Sequence, residues 1–304
     1  MHKNYYKEFK GICSVLPTPF KENEDFDYQG FEKILRYQKQ NQINTIFICG
    51  AGGEGPSISN DVRANSVKIA LENFEESPIS VGIFESGTKR TISSIEFLRK
   101  NVDLEDRIIL TVSPPVYFSP MHTKQEIISF YREVGSLGIP VIAYSNPSYT
   151  GLKLDLETTK SLSQEENIFG MKFVKGSLDE LRQLREGLDQ KFNIGFANRS
   201  PLLESFNAGA DVLVNSTASL VPKTFFELYQ NYIKGDLNRA KDFEREIADF
   251  EEIFKIHKNY IAVSKSVLNL LLGSGDYLTK PFEKLPDSIK KEVEKFLGSK
   301  EMLR

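Results

Sequence analysis

Lys172 lies within Asn167-Ile-Phe-Gly-Met-Lys-Phe-Val174, a run that otherwise reads as a buried strand. A buried ammonium is costly, so a lysine there is either at the exposed end of the strand or held partly neutral, and a neutral amine is a nucleophile. Two phenols occupy comparable places in other apolar runs, Tyr117 in Ser113-Pro-Pro-Val-Tyr-Phe118 and Tyr144 in Ala143-Tyr-Ser-Asn-Pro147. An amine that attacks a ketone forms an imine, which then serves as an electron sink for breaking or making the adjacent C–C bond. A phenol can move the protons of that addition and of a substrate hydroxyl. A further element is the glycine-rich run Cys49-Gly-Ala-Gly-Gly-Glu-Gly-Pro-Ser57. Its closely spaced N–H groups can nest a carboxylate, although the same run reads equally as a flexible turn that needs positive φ. Ala51, Gly52, Gly53 and Glu54 are its candidate substrate contacts. It is not a phosphate-binding Walker loop, because no Gly-Lys-Ser/Thr follows.

These groups meet only if a parallel sheet delivers them to one edge. From residue 11 onward, short apolar runs alternate with longer amphipathic segments, the pattern of βα units. The pattern predicts strands at Gly11–Leu16, Thr45–Cys49, Ile79–Phe84, Arg107–Val112, Pro140–Tyr144, Ile168–Phe173, Phe192–Phe196 and Asp211–Asn215. Between them lie helices such as Tyr28–Gln40, with Tyr28, Phe31, Ile34 and Leu35 on one stripe, and Thr123–Val134, which opens with a Thr123/Glu126 capping box. A Ser177/Glu180 box starts the helix after the Lys172 strand. Eight such units predict an α/β fold, a (β/α)8 TIM barrel, rather than a doubly wound sheet, since no Gly-x-Gly-x-x-Gly follows the first strand.

In such a barrel the active site lies at the C-terminal ends of the strands. Adjacent strands are about 5 Å apart, so Tyr144 and Lys172 reach a common substrate atom if their side chains point the same way. Asn198 and Asn215, with Ser216, end the last two strands and are candidates for a polyhydroxylated substrate tail, although surface turns use the same residues. Past residue 235 only helices are expected, at Asp236–Phe254, Tyr260–Leu272 and Asp287–Leu297. The chain therefore divides into a barrel, 1–232, and an appended C-terminal helical region, 233–304.

The chain has 304 residues, 40% hydrophobic and 27% charged, with a formal net charge of −3. Lys and Glu are interspersed without a basic stripe, which points away from nucleic acid and anionic membranes and toward a small-molecule partner. The first residues contain no apolar signal core and no later run is long enough to span a bilayer, so a cytoplasmic location is expected. Cys13 and Cys49 each lie in a strand-like run and read as reduced core thiols. His2, His122 and His257 lack ligand spacing, so no metal site is expected, and no cofactor is implied.

Taken together, these residues resemble the dihydrodipicolinate synthase and N-acetylneuraminate lyase family of Schiff-base aldolases. The carriers are Leu16-Pro-Thr-Pro-Phe20, Gly50 to Glu54, Pro114 to Tyr117, Tyr144-Ser-Asn-Pro147 with Thr150-Gly151, and Gly170-Met-Lys172. The resemblance implies that Lys172 forms an imine with pyruvate or another 2-oxo acid, that Tyr144 is the general acid/base, and that the Ala51 and Gly52 amides hold the carboxylate. It also implies that Tyr117 belongs to a proton relay, often completing a neighbouring subunit's site in a dimer of dimers, so a homo-oligomer is expected. Two positions depart from the family pattern. Ala51 and Gly52 stand where a Thr or Ser pair is usual, removing the hydroxyl that links the two tyrosines. Tyr149 stands where lysine-biosynthetic members place an arginine for the aldehyde substrate's carboxylate, while Gly55-Pro-Ser57 is similar to 2-keto-3-deoxygluconate aldolases.

The leading expectation is a lyase, an aldolase or dehydratase, that forms a Lys172 Schiff base with pyruvate or a 2-keto-3-deoxy sugar acid. A second is 4-hydroxy-tetrahydrodipicolinate synthesis from pyruvate and aspartate semialdehyde. A third, motivated by Ala51, is a catalytically impaired paralogue that binds a 2-oxo acid.

Overall fold

The computed structural model describes residues 8–74, 77–104, 106–199 and 201–303; His2 and the rest of the N-terminal segment lie outside them. Eight parallel strands close into a barrel in chain order: β1 (Gly11–Val15), β2 (Ile46–Ile48), β3 (Ile79–Ile83), β4 (Ile108–Val112), β5 (Val141–Ser145), β6 (Ile168–Val174), β7 (Asn193–Ala197) and β8 (Val212–Asn215). β8 pairs with β1 through Gly11 and Val212, which completes the ring. Each predicted strand is present. β2 is shorter than expected, because the backbone turns left-handed at Cys49 (φ 54°), and β6 runs one residue further, to Val174.

Residues on both faces of the strands are buried, which explains why the sequence shows nearly continuous apolar runs instead of alternation. The two-residue period still sorts the side chains. Cys13, Val15, Phe47, Phe84, Ile109, Ile142 and Tyr144 pack together inside the barrel, whereas Ile12, Leu16, Ala143, Met171 and Phe173 belong to the larger core beneath the helices. Lys172, between Met171 and Phe173, therefore faces inward.

The outer layer contains α1 (Tyr28–Gln40), α2 (Asn60–Asn73), α3 (Thr88–Asn101), α4 (Lys124–Gly135), the short α5 (Pro147–Thr150), α6 (Leu156–Leu162), α7 (Leu178–Gly187), α8 (Leu202–Asn207) and α9 (Pro222–Ile233). The apolar stripe of α1 is buried at Phe31, Ile34 and Leu35, and Asp27 caps its first turn. Both expected capping boxes form, Thr123/Glu126 on α4 and Ser177/Glu180 on α7.

Three more helices follow: α10 (Leu237–Glu251), α11 (Tyr260–Leu272) and α12 (Asp287–Ser299). α10 packs on α9, and α11 packs on α1 and α12. No helix among the described residues is long and apolar enough to cross a membrane. Cys13 and Cys49 are free and buried.

Candidate active site

The register of β5 and β6 sets Tyr144 directly beside Lys172. The Lys172 Nζ lies 4.6 Å from the centroid of the Tyr144 ring and 5.5 Å from that of Phe47. The side chain is only 7% exposed. Burial pulls the ammonium pKa down to about 7, because the apolar walls solvate a cation poorly. Cys13 would oppose this as a thiolate, but burial pushes its own pKa far above the usual thiol range. The result is an amine that is substantially unprotonated near neutrality.

Tyr144 is 2% exposed and stands edge-on to Phe84. Burial pushes its phenol up to about 12, opposed by the Asn146 amide, which donates to the Tyr144 oxygen at 2.7 Å. That bond occupies a lone pair and leaves the phenolic O–H free to donate. Asn146 follows β5 and takes the N-cap position of the short α5, which brings Ser148 and Tyr149 to the same edge.

A cavity of about 490 Å³ opens above Lys172, lined among others by Tyr144, Tyr149, Asn198, Arg199, Asn215 and Tyr260. Its lining also includes Ala51, Gly52, Lys175 and Ser216. Among the described residues its lining carries the cations Lys175 and Arg199 beside the Lys172 amine, and no Asp or Glu. Such a surface favours an anionic ligand.

The glycine-rich run folds into a single 3₁₀ turn, Ala51–Gly53, after β2. Within it the Gly53 and Gly55 amides donate to the Gly50 carbonyl and that of Glu54 to Ala51. Ala51 and Gly52 are the part of the turn that reaches the cavity. Gly53 is not part of the lining: a Cβ there would sit 2.8 Å from the Leu16 carbonyl oxygen, and its own carbonyl accepts from Thr18 Oγ1 at 2.6 Å.

Glu54 also points away from the cavity. Its carboxylate pairs with Lys265 of α11 and accepts from the Thr279 N–H and Oγ1, both at 2.7 Å. Lys265 in turn donates to the Tyr277 carbonyl at 2.6 Å. Both charges are buried, so this residue, expected to contact substrate, instead ties the β2 turn to the C-terminal helices.

The remaining candidates divide. Asn198 and Asn215 line the cavity, but Asn215 also braces its rim: its amide donates to the Asn198 carbonyl at 3.3 Å and its Oδ1 accepts from the Thr217 N–H at 2.7 Å. Tyr149 lines the mouth and is 60% exposed. Tyr117 does not join them. Its backbone is left-handed (φ 79°), its side chain is 83% exposed, and its ring meets Phe118 edge-on, next to the exposed Met121.

Tyr260, Arg199, Lys175 and Ser148 are among the cavity residues that escaped the sequence reading. Tyr260 opens α11, so its local signal is that of a helix N-terminus capped by Asn259. Arg199 follows Asn198, and its guanidinium is held 4.5 Å above the Phe254 ring.

Comparison with known proteins bears on the fold and the family. The model of the dihydrodipicolinate synthetase family matches residues 8–300. A 4-hydroxy-tetrahydrodipicolinate synthase from Kosmotoga olearia is 27% identical over 302 residues, covering 97% of this chain and 100% of that protein. One from Brachyspira hyodysenteriae is 26% identical over 264 residues, 86% of this chain and 88% of that protein. Among solved structures, a prophage protein of the dihydrodipicolinic acid synthase family from E. coli K12, in complex with pyruvate, superposes with a TM-score of 0.87 at 18% identity. That superposition covers 97% of this chain and 99% of the other. Dihydrodipicolinate synthase from Aquifex aeolicus gives 0.86 at 21% identity, covering the same shares of each chain. Barrel, lysine placement and a match over almost the whole length converge: the chain belongs to the dihydrodipicolinate synthetase family.

Proposed function

We propose that this protein is a Schiff-base-forming lyase acting on pyruvate or a 2-keto-3-deoxy sugar acid. The observation that carries this reading is the Lys172 amine, buried, shifted toward its neutral form and set beside the Tyr144 phenol. The Ala51 and Gly52 end of the turn receives the 2-oxo acid's carboxylate, and the absence of acidic side chains from the lining favours it electrostatically. Lys172 adds to the ketone carbon. Tyr144 donates a proton to the resulting hydroxyl, water leaves and the iminium forms. That iminium accepts the electron pair of the adjacent C–C bond as an aldehyde departs, or of a C–H bond ahead of dehydration. Gly53 and Glu54 act behind this surface, as supports. Asn198 and Asn215 meet the substrate's tail with Tyr149.

Borohydride reduction in the presence of pyruvate, followed by peptide mass mapping, tests the reading. The expected product is a reduced pyruvyl adduct on Lys172. A folded sample with no adduct, from pyruvate or from any 2-keto-3-deoxy acid, overturns it.

A second reading, 4-hydroxy-tetrahydrodipicolinate synthesis, draws on the names of the curated relatives. Tyr149 in the place of a carboxylate-binding arginine weighs against it, and turnover with aspartate semialdehyde decides between the two. A paralogue that binds without turnover is separated by the same trapping experiment. The exposed apolar side chains Tyr117, Phe118 and Met121, close together in sequence, support a homo-oligomer, a dimer or tetramer, and a cytoplasmic location completes this reading. Light scattering that gives only monomer at working concentration removes the shared-site role of Tyr117.

A further inference from the structure

Schiff-base chemistry moves protons as well as electrons, and Tyr144 is too enclosed to exchange them directly with bulk water. Its phenol is 2% exposed. The β2 turn offers no carrier, because Ala51 and Gly52 have no hydroxyl. Tyr117 offers none from within this chain, since its side chain lies outside the cavity.

Two other phenols line the same cavity. Tyr149 comes from α5 at the end of β5, and Tyr260 from the first position of α11. Both line this one cavity together with Tyr144, and the three phenols lie close enough for the charge of one phenolate to influence the others. Tyr149 is 60% exposed and Tyr260 is half-buried, so both are more open to solvent than the enclosed Tyr144. Arg199, also at the mouth, is the cation whose charge favours ionised Tyr260.

We propose that Tyr149 and Tyr260 form a phenol pair that carries protons between Tyr144 and solvent, taking over the task of the hydroxyl missing from the glycine-rich turn. This rests on the Schiff-base reading of Lys172. In imine formation, Tyr144 gives its proton to the carbinolamine oxygen as the C–O bond breaks and water leaves. The resulting phenolate takes a proton from the pair, and the pair takes one from water. In enamine formation the flow reverses: Tyr144 first hands its phenolic proton outward through the pair to water, the phenolate so formed removes a C3 proton from the iminium, the C–H electrons form the C2=C3 bond, and the C=N π electrons return to nitrogen. One proton enters in the first step and one leaves in the second.

The test is hydrogen–deuterium exchange at the methyl group of pyruvate in D₂O, followed by proton NMR, alongside borohydride trapping. Wild type, Tyr149→Phe, Tyr260→Phe and the double variant are compared. Each single variant is expected to exchange about tenfold or more slowly, within the range for acid–base groups, with unchanged equilibrium trapping on Lys172. The double variant is expected to be little slower than the slower single variant, because two residues acting as one unit are not additive. Added imidazole, a diffusible proton carrier, should speed exchange in Tyr260→Phe relatively more than in wild type.

Exchange within twofold of wild type in all three variants overturns the relay. So does a loss of exchange matched by an equal loss of trapping at saturating pyruvate, which marks a binding role. If Tyr260→Phe fails to fold, judged by its urea midpoint, Tyr149→Phe alone decides by the same criteria. Absence of a trapped adduct in wild type is a different result, and it removes the Schiff-base reading itself.

Discussion

Lys172→Met is expected to make the protein more stable while abolishing imine formation, and the size of the gain should depend on pH. Burial lowers the ammonium pKa from 10.5 to about 7, so the native state resists the proton that the unfolded chain readily takes. Below pH 7 both states are protonated and the native state bears the full cost of the buried cation. Between about pH 7 and 10.5 the unfolded chain binds more protons than the native one, so wild-type stability rises with pH. Above 10.5 both are neutral and the penalty has gone. The shift corresponds to on the order of 5 kcal/mol. Lys172 borders an open cavity, and water there solvates part of the charge, which reduces the expected gain for Met to about 2–4 kcal/mol at pH 6. Methionine has a similar length and no charge, so packing changes little. Urea unfolding of both proteins at pH 6, 8 and 10 measures the difference directly. The advantage of the variant should be largest at pH 6 and nearly gone by the highest pH. A difference independent of pH, or a wild type that is the more stable protein at pH 6, refutes the argument that burial is what activates the amine.

Three other outcomes follow from the contacts described. Tyr144→Phe should lower the rate of imine formation by roughly 10²–10⁴-fold in rapid-quench borohydride trapping, while leaving the final extent of adduct intact. Glu54→Gln leaves the Lys265 ammonium buried without its ion partner and should cost about 3–5 kcal/mol in urea unfolding, whereas Glu54→Leu combined with Lys265→Met should recover most of that loss. Arg199→Ala should raise the KM for a substrate with an anionic tail more than that for one with a neutral tail. Equal effects on both would assign Arg199 to the rim and not to recognition.

The legible parts of the sequence were those in which one residue contradicted its neighbours. Lys172 interrupts an apolar strand, but the nearly continuous apolar run left the direction of its side chain open, and only the closed barrel, with Met171 and Phe173 in the outer core and Tyr144 beside it, shows that it faces inward. Glu54 was misread because a carboxylate in a glycine-rich turn suggests ligand contact when only the turn is considered. The clue to its actual role was another anomaly far along the chain, Lys265 in the apolar helix α11, and only the fold brings the two together. Tyr117 differs in another way: its position after a strand resembles that of Tyr144, but its backbone is left-handed and its side chain exposed, an arrangement hard to read from a tyrosine and one that leaves its expected role to a neighbouring subunit's site. Tyr260 was hidden by distance: nothing around it differs from an ordinary capped helix start.

The register that places Tyr144 beside Lys172 has an evolutionary consequence. Both side chains are mounted on adjacent strands locked by main-chain hydrogen bonds, whereas Ser148, Tyr149, Lys175, Arg199, Ser216 and Tyr260 lie on the turns and helix starts above them. A lineage can therefore exchange the upper residues, insert or trim their loops, and test new substrates without re-aiming the pair proposed to make the bond. Reaction and selectivity are inherited on separate parts of the chain, so descendants of such a barrel can diverge in diet while keeping one chemical step.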